Sequence, residues 1–224
     1  MIEAIFWDND GVLVDTEHLY FEATRQVLSS VDIELTEIDY RDLFLVRGTG
    51  AWHLAEARGI GSARIDALKS ARNALYATLL AEAPRLIPGV RETLHALHGR
   101  FAMGIVTSSR RDHFEVIHRD TGILQYFDFV ITADDCPRTK PCPDPYERAI
   151  ERSGRSADVC IAIEDSARGL EAAIAARLRC VIIPSRLTTP QRFNGALAVL
   201  KSVIDVPVLL RDLRASANPQ VLKS

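Results

Sequence analysis

The sequence is poor in features that mark several large classes of protein. Its 224 residues include only four cysteines, and Cys136, Cys142, Cys160 and Cys180 form no C-x-x-C pair. Two of them sit inside apolar runs, where a thiol reads as a small core residue, so neither a zinc site nor a disulfide framework is indicated. Basic clusters are missing as well. Lys and Arg number 27 against 30 Asp and Glu, for a net charge of −3, and the pI is about 6.1. No stretch resembles what a phosphate backbone needs, so nucleic acid is not an expected partner. No apolar segment approaches the ~18 residues of a membrane span, and the N-terminus lacks a charged region followed by a long apolar run. A soluble, cytoplasmic protein with no membrane partner is expected, as a monomer or weak dimer. Internal repeats and low-complexity segments are also absent. What remains is a chain 47% hydrophobic and 25% charged, enough for a full core and too apolar for disorder.

Short apolar runs recur along the chain, each ending in polar residues. Ile2 to Trp7 stops at Asp8-Asn9-Asp10-Gly11; Ala102 to Thr107, Phe129 to Thr132, Cys160 to Ile163 and Cys180 to Pro184 follow. Between them, Gly89 to Leu97, Arg110 to Thr121, Pro143 to Ser153 and Ala167 to Ala176 have helical spacing. Strands alternating with helices predict an α/β fold, a Rossmann-like doubly wound parallel sheet covered on both faces. Ligands of such sheets bind beyond the carboxyl ends of the strands, where Asp8, Thr107 and Glu164-Asp165 fall.

The rhythm breaks once. About ninety residues separate the first strand from the second, far more than an ordinary connection. Glu17 to Ser30, Glu37 to Phe44, Ala51 to Arg58 and Ala63 to Glu82 read as amphipathic helices with no convincing strand among them. The spacing predicts an inserted α-helical cap domain over 17–84, its return marked by Pro84 and Pro88-Gly89, in a core of residues 1–16 and 85–224. From Ser216 the chain reads as a polar tail.

Four constellations could carry chemistry. In Asp8-x-Asp10-Gly11, alternation places two carboxylates on one side of a turn, and close carboxylates need a cation or a shared proton. An Asx turn closing a strand accounts for an isolated motif of this kind equally simply. Glu164-Asp165-Ser166 adds a second acidic pair, although Asp or Ser before a helix also serves as an N-cap. Four carboxylates at one edge of a sheet would repel, and oxygen-only ligands suit magnesium. Thr107-Ser108-Ser109 offers hydroxyls and helix N-terminal amides to an anion. Lys140, on a proline-stiffened loop, could neutralise a phosphoryl oxygen or position a nucleophilic carboxylate.

In order and type, these residues resemble the haloacid dehalogenase superfamily, in its branch of small phosphatases and phosphomutases with a helical cap. The resemblance rests on 6–17 (Phe6-Trp7-Asp8-Asn9-Asp10-Gly11 through Asp15-Thr16-Glu17), Ile87-Pro88-Gly89-Val90, Ile105-Val106-Thr107-Ser108-Ser109, Lys140-Pro141-x-Pro143-Asp144 and Ile163-Glu164-Asp165-Ser166-x-x-Gly169. It implies Asp8 as the nucleophile that takes the phosphoryl group and Asp10 as general acid, then base. It implies Thr107 and Ser108 on the phosphoryl oxygens, with Lys140 stabilising both Asp8 and the transferring group. Mg2+ would be held by the Asp8 carboxylate, the Asp10 backbone carbonyl and Asp165, with Glu164 nearby. The expected substrate is a small phosphorylated metabolite, a sugar phosphate or similar phosphomonoester. Carbon–halogen displacement is disfavoured, because the dehalogenases of the superfamily lack the second aspartate.

A sugar phosphomutase is the alternative. The resembling mutases carry a basic cap residue just after a glycine; here Arg47 precedes Gly48, and no Arg or Lys follows within the next nine residues. Arg47 is expected either to contact the substrate's polar tail or to form a surface ion pair. Trp52 and His53 either line the cleft or pack between cap helices, and His18 has a packing or hydrogen-bonding role. A non-catalytic, metal-dependent phospho-acceptor regulator is a third reading, but such a module needs no lid of about seventy residues.

Overall fold

All five apolar runs become strands, because each is buried on both faces and has no polar face to give to water. In the computed structural model, which describes residues 1–82, 86–188 and 192–216, they are β1 (Ala4–Trp7), β2 (Ala102–Val106), β3 (Phe129–Ile131), β4 (Cys160–Glu164) and β5 (Arg179–Ile182). A two-residue edge strand, β6 (Ala198–Val199), was not anticipated; Val199 is more than half exposed. Every pairing is parallel, in the order β3-β2-β1-β4-β5-β6.

Alternation along β1 divides the core in two. Ile5 and Trp7 enter one apolar cluster with α5 (Val90–Leu97), α6 (Arg111–His118) and α9 (Val206–Ser216), while Ala4 and Phe6 enter the other with α7 (Asp144–Ser153) and α8 (Ala167–Ala175). β1 is flanked by β2, from which the chain runs outward to β3, and by β4, from which it runs to β5 and β6. That reversal opens a crevice at the carboxyl ends of β1, β2 and β4.

Among the described residues between β1 and α5 the regular elements are helices: α1 (Glu17–Ser29), α2 (Glu37–Tyr40), α3 (Trp52–Ala57) and α4 (Ser62–Glu82). The helix expected over 37–44 is cut short. A Thr36–Asp39 capping box starts it, but after Tyr40 the chain widens into a π-type turn over Arg41–Val46. The Leu43 carbonyl is there drawn out to accept from the Thr49 and Gly50 amides, at 2.9 and 3.1 Å. Val14, Leu19, Tyr76, Leu80 and Ile117 share one apolar cluster, so the helical insert and α6 are packed together beside the crevice. Pro84 lies outside the described residues, as does the expected polar tail beyond Ser216, which itself closes α9. No described helix is long and apolar enough to cross a membrane. All four cysteines are free thiols.

One buried polar residue gives this fold a pH dependence. His118, at the end of α6, is 4% exposed, and burial lowers its pKa from 6.5 to about 4. The unfolded chain therefore takes up a proton near pH 6.5 that the folded chain refuses. The stabilising contribution is full above pH 6.5 and is lost as pH falls towards 4, to an extent of about 3 kcal/mol. Glu17 and other raised carboxyls titrate with the opposite sign, so the wild type and His118→Gln must be compared. Urea unfolding from pH 7 to 4.5 should show a shallower loss in the variant; parallel curves would refute the assignment.

Candidate active site

The site is assembled from the loops that leave β1, β2 and β4. Asp8 follows β1 directly, with its amide bonded to the Ile163 carbonyl at 2.9 Å, so the strand register fixes it beside Glu164 and Asp165. The turn after it needs Gly11, whose φ is +86°; a Cβ there would also run into the Asp165 carboxylate. Ser166 caps α8 by accepting from the Gly169 amide at 3.2 Å. Within Glu164-Asp165-Ser166 the N-cap is thus Ser166, while Glu164 and Asp165 stand together with Asp8. Gly169 is required for space, since a Cβ on it would overlap the Glu164 carboxylate.

Lys140 ties these loops together. Its Nζ donates to Asp8 Oδ1 at 2.6 Å and to the Val106 carbonyl at 2.7 Å, and it pairs with Glu164 Oε1 at 2.6 Å. Burial works to lower its pKa, but the charges of Asp8 and Glu164 more than reverse this and hold it above the usual lysine range. Burial also pushes Asp8 well above the usual carboxylate range, reinforced by Glu164 and opposed by Lys140. Asp165 is raised by burial and by the Asp8 and Glu164 charges. Asp8, Glu164 and Asp165 each offer an oxygen within 4.8 Å of the others, and Glu164 Oε2 is buried without a hydrogen-bond partner among the described residues. Three carboxylates facing one ammonium, with an orphaned oxygen among them, fit a divalent, oxygen-ligated cation.

Asp10 faces a different set of neighbours. Its carboxylate accepts from Thr16 Oγ1, from Ser109 Oγ at 2.7 Å, from Thr107 Oγ1 at 3.2 Å and from Asn9 Nδ2 at 3.3 Å. The Asp10 carboxylate lines the same crevice and its charge acts on Asp8, but it is not one of the three whose oxygens lie within 4.8 Å of one another; its backbone carbonyl stays a ligand candidate. Ser109, the third hydroxyl of its motif, proves to be a partner of Asp10. The Ser108 hydroxyl is buried without a partner among the described residues and lines the crevice.

Above these residues the helical insert closes a cavity of about 390 Å³, lined from its side by Glu17, Tyr20, Tyr40, Phe44, Trp52, Arg72 and Asn73. Such a volume suits a small-molecule ligand. Glu17 receives the Tyr40 hydroxyl, and its pKa is pushed up to about 7, mainly by burial. Arg72 is buried, its guanidinium 4.4 Å from the Tyr20 ring centre and 5.6 Å from that of Trp52. Its Nε donates to Asn73 at 2.9 Å, while Nη1 has no partner among the described residues. Arg168, on α8, donates to the Phe44 carbonyl at 3.1 Å and to the Lys140 carbonyl, joining insert and core.

Sequence reading missed Arg72, although a signal existed. The buried stripe of α4 runs Ile65, Leu68, Arg72, Tyr76, Leu80, so an arginine stands at an inward, apolar position. Arg47 is the opposite case and the cleft reading of it is corrected: 62% exposed at its side chain, it pairs with Asp42 at 2.9 Å and does not line the cavity. His53 is exposed and also absent from the lining, whereas Trp52 both packs in the insert and faces the cavity. His18 is exposed and sits 3.3 Å from Asp15.

The chain belongs to the haloacid dehalogenase-like hydrolase family, whose model matches residues 5–183. It is a phosphoric monoester hydrolase of that family. It is 33% identical over 178 residues to a phosphorylated carbohydrates phosphatase of Thermotoga maritima, covering 77% of this chain and 80% of that one. It is 28% identical over 180 residues to the fructose-1-phosphate phosphatase YqaB of Escherichia coli, covering 79% and 94%. The crystal structure of CbbY from Rhodobacter sphaeroides in complex with phosphate superposes with a TM-score of 0.78 at 27% identity, covering 92% of this chain and 96% of that one.

Lys140→Met leaves Asp8 and Glu164 buried without their counter-charge. Breaking a buried pair in this way costs about 3–5 kcal/mol. Urea unfolding in the presence of a chelator should show that loss, and a change below 1 kcal/mol would contradict the geometry.

Proposed function

We propose that the protein is a Mg2+-dependent phosphatase of small phosphorylated carbohydrates, acting through an aspartyl phosphate on Asp8. The observation that carries this reading is the division of the two aspartates between different neighbours: Asp8 lies against Lys140 and the acidic cluster, Asp10 against hydroxyls and an amide. This division supports Asp8 as the nucleophile and Asp10 as the group that handles a proton.

Asp8, Asp165 and the Asp10 carbonyl would hold Mg2+, with Glu164 behind them. When bound, the ion supplies charge neutralisation for the phosphoryl group. An Asp8 oxygen attacks phosphorus as the ester oxygen departs, and Asp10 gives that oxygen its proton. Water then attacks phosphorus of the Asp8 acyl phosphate as its bond to the Asp8 oxygen breaks, Asp10 takes the proton of the water, and inorganic phosphate leaves with the Asp8 carboxylate restored. Ser108, the Thr107 hydroxyl and Lys140 hold the phosphoryl oxygens during both steps. The relatives named for phosphorylated carbohydrates and for fructose 1-phosphate support the substrate class, as does a cavity wall that combines aromatic rings with Glu17, Arg72 and Asn73. A sugar ring can lie on such faces while its hydroxyls reach the polar tips. The helical insert, over 17–84, is the cap that excludes water and selects the leaving group.

Asp8→Asn should abolish Mg2+-dependent phosphate release from p-nitrophenyl phosphate and fructose 1-phosphate alike; wild-type-like turnover would refute the assignment. Asp10→Asn should slow the sugar phosphate far more than the aryl ester, whose leaving group needs no proton, and equal losses would count against general-acid catalysis. Interconversion of sugar phosphate isomers with a bisphosphate activator would favour a mutase instead.

Arg72 is assigned to the carbohydrate. A hydrogen bond from a charged donor is worth about 1.5–3 kcal/mol, so Arg72→Ala should cut kcat/KM for the sugar phosphate by at least tenfold. Acetyl phosphate, which has no sugar for Arg72 to hold, should be turned over within threefold of wild type; equal losses would place the residue in a structural role.

A further inference from the structure

The carboxylate of Asp10 is held by Asn9, and Asn9 is in turn held by a residue remote from the substrate. Asn9 is wholly buried. Its Nδ2 lies 3.3 Å from Asp10 Oδ2, and its Oδ1 lies 2.7 Å from His118 Nε2. The other ring nitrogen of His118, Nδ1, lies 3.0 Å from Thr121 Oγ1. Four side chains thus form one line, Thr121, His118, Asn9, Asp10, running from the end of α6 to the first catalytic loop.

We infer that His118 is a positioning residue for catalysis, which fixes the orientation of the Asn9 amide so that its NH2 group, and not its oxygen, faces Asp10. The argument follows from donor and acceptor chemistry. An amide oxygen only accepts, so the short contact to Asn9 Oδ1 requires a hydrogen on His118 Nε2. Both the neutral ring protonated at Nε2 and the imidazolium satisfy that requirement, so the lock does not depend on the charge of the ring. In the neutral ring Nδ1 is then left as an acceptor for the Thr121 hydroxyl, which also lies 3.4 Å from the His118 carbonyl, so the tautomer is set by Asn9 and not by Thr121. With Oδ1 committed to His118, the Asn9 NH2 group must point to Asp10. Were the amide turned over, two acceptor oxygens would stand 3.3 Å apart and a ring protonated at Nε2 would face an NH2 donor, so in that state of the ring both contacts would be lost together. The backbone of Asn9 is fixed as well, its carbonyl accepting from the amides of Val12, Leu13 and Val14, which leaves the amide orientation as the freedom that His118 removes. Asp10 is otherwise held by hydroxyls, which rotate; the Asn9 amide is the planar member of its donor set.

The inference rests on the reading of Asp10 as general acid and is tested beside it. His118→Leu, His118→Gln, Asn9→Leu and Asp10→Asn are compared with wild type on fructose 1-phosphate and p-nitrophenyl phosphate. His118→Leu removes the donor, and kcat for the sugar phosphate should fall about tenfold, with KM unchanged and the aryl ester within twofold. His118→Gln, whose amide nitrogen can replace Nε2, should recover most of the loss. Asn9→Leu should show the same selectivity, and the double variant Asn9→Leu/His118→Leu should be no worse than Asn9→Leu, because one line of contacts is cut in both. If His118→Leu does not fold, the Asn9→Leu selectivity and the His118→Gln recovery decide. In 15N-histidine spectra of the wild type, His118 should carry its hydrogen on Nε2 from pH 8 to 6. Equal losses on both substrates, no advantage of Gln over Leu, or an Nδ1 tautomer would overturn the inference. If Asp10→Asn shows leaving-group selectivity and His118→Leu does not, the relay alone fails; if neither shows it, the general-acid reading fails with it.

Discussion

The three hydrogens of one buried ammonium group organise the centre of this protein. Lys140 Nζ meets Asp8 at the end of β1, the Val106 carbonyl at the end of β2 and Glu164 at the end of β4. These are the three central neighbours of the sheet, in the order β2-β1-β4. An ammonium has three donors, and here each goes to a different strand end, so the crevice at the reversal of strand order is held by a charge at its floor. Glu164 serves chiefly in this frame: it is wholly buried, receives the Tyr146 hydroxyl at 2.5 Å and pairs with Lys140. The packing that admits it depends on Gly169, one turn into the helix that follows.

The same frame reaches the helical insert. Arg168 stands on α8, directly after the acidic pair, and binds backbone carbonyls on both sides of the cleft, at Lys140 and at Phe44. Its Nε lies so near Gly48 that a Cβ there would come within 2.7 Å of it. At this contact the insert offers the core a backbone oxygen and a glycine, whereas beside α6 it meets the core through apolar side chains. Tyr20, Tyr40 and Phe44 line the cavity as a packed aromatic group, Tyr40 stacked on Phe44 at 4.6 Å and Tyr20 edge-on to Phe44 at 6.1 Å. The π-type turn that interrupts the expected helix is what brings this group and the Gly48–Gly50 loop onto the core.

Legibility in the sequence follows the range of the interactions concerned. The five buried strands were readable because a strand covered on both faces must be apolar throughout, and the core motifs were readable because each lies within a few residues of a strand end. β6 and α9 were not. The first has two residues and an exposed side, too few for any period, and the second begins at Val206-Pro207 beyond the last recognised run. The length of the helix after Thr36 was overestimated because periodicity does not register a carbonyl drawn away by Thr49 and Gly50. Cap residues were the least legible: Arg47 stood next to glycines that suggested a binding loop and turned out to be a surface ion pair, whereas Arg72 was concealed inside an apolar stripe. Ser109 was visible as a hydroxyl, but its choice of Asp10 depends on the approach of two separate strand ends.

The acidic edge also recasts the net charge of −3. Asp8 and Asp165 are pushed well above the usual carboxylate range, first by burial and then by the charges of the acidic cluster. Repulsion of this kind raises the free energy of the folded chain unless protons or a cation relieve it, and Lys140 relieves only part. The hydrogen-bond partners of Asp10 are of another kind, three hydroxyls and an amide that carry no net charge. Two aspartates separated by a single residue thereby have different partners: one shares charged neighbours whose oxygens fit a divalent ion, the other has neutral donors, the division on which the proposed roles of nucleophile and general acid rest. Asn9, lying between them, is wholly buried and does not line the cavity; its amide oxygen meets His118 and its NH2 group meets Asp10. The pattern Asp-Asn-Asp is thus a local means of sending three adjacent side chains to three environments, and phosphoryl transfer needs the first and third to differ.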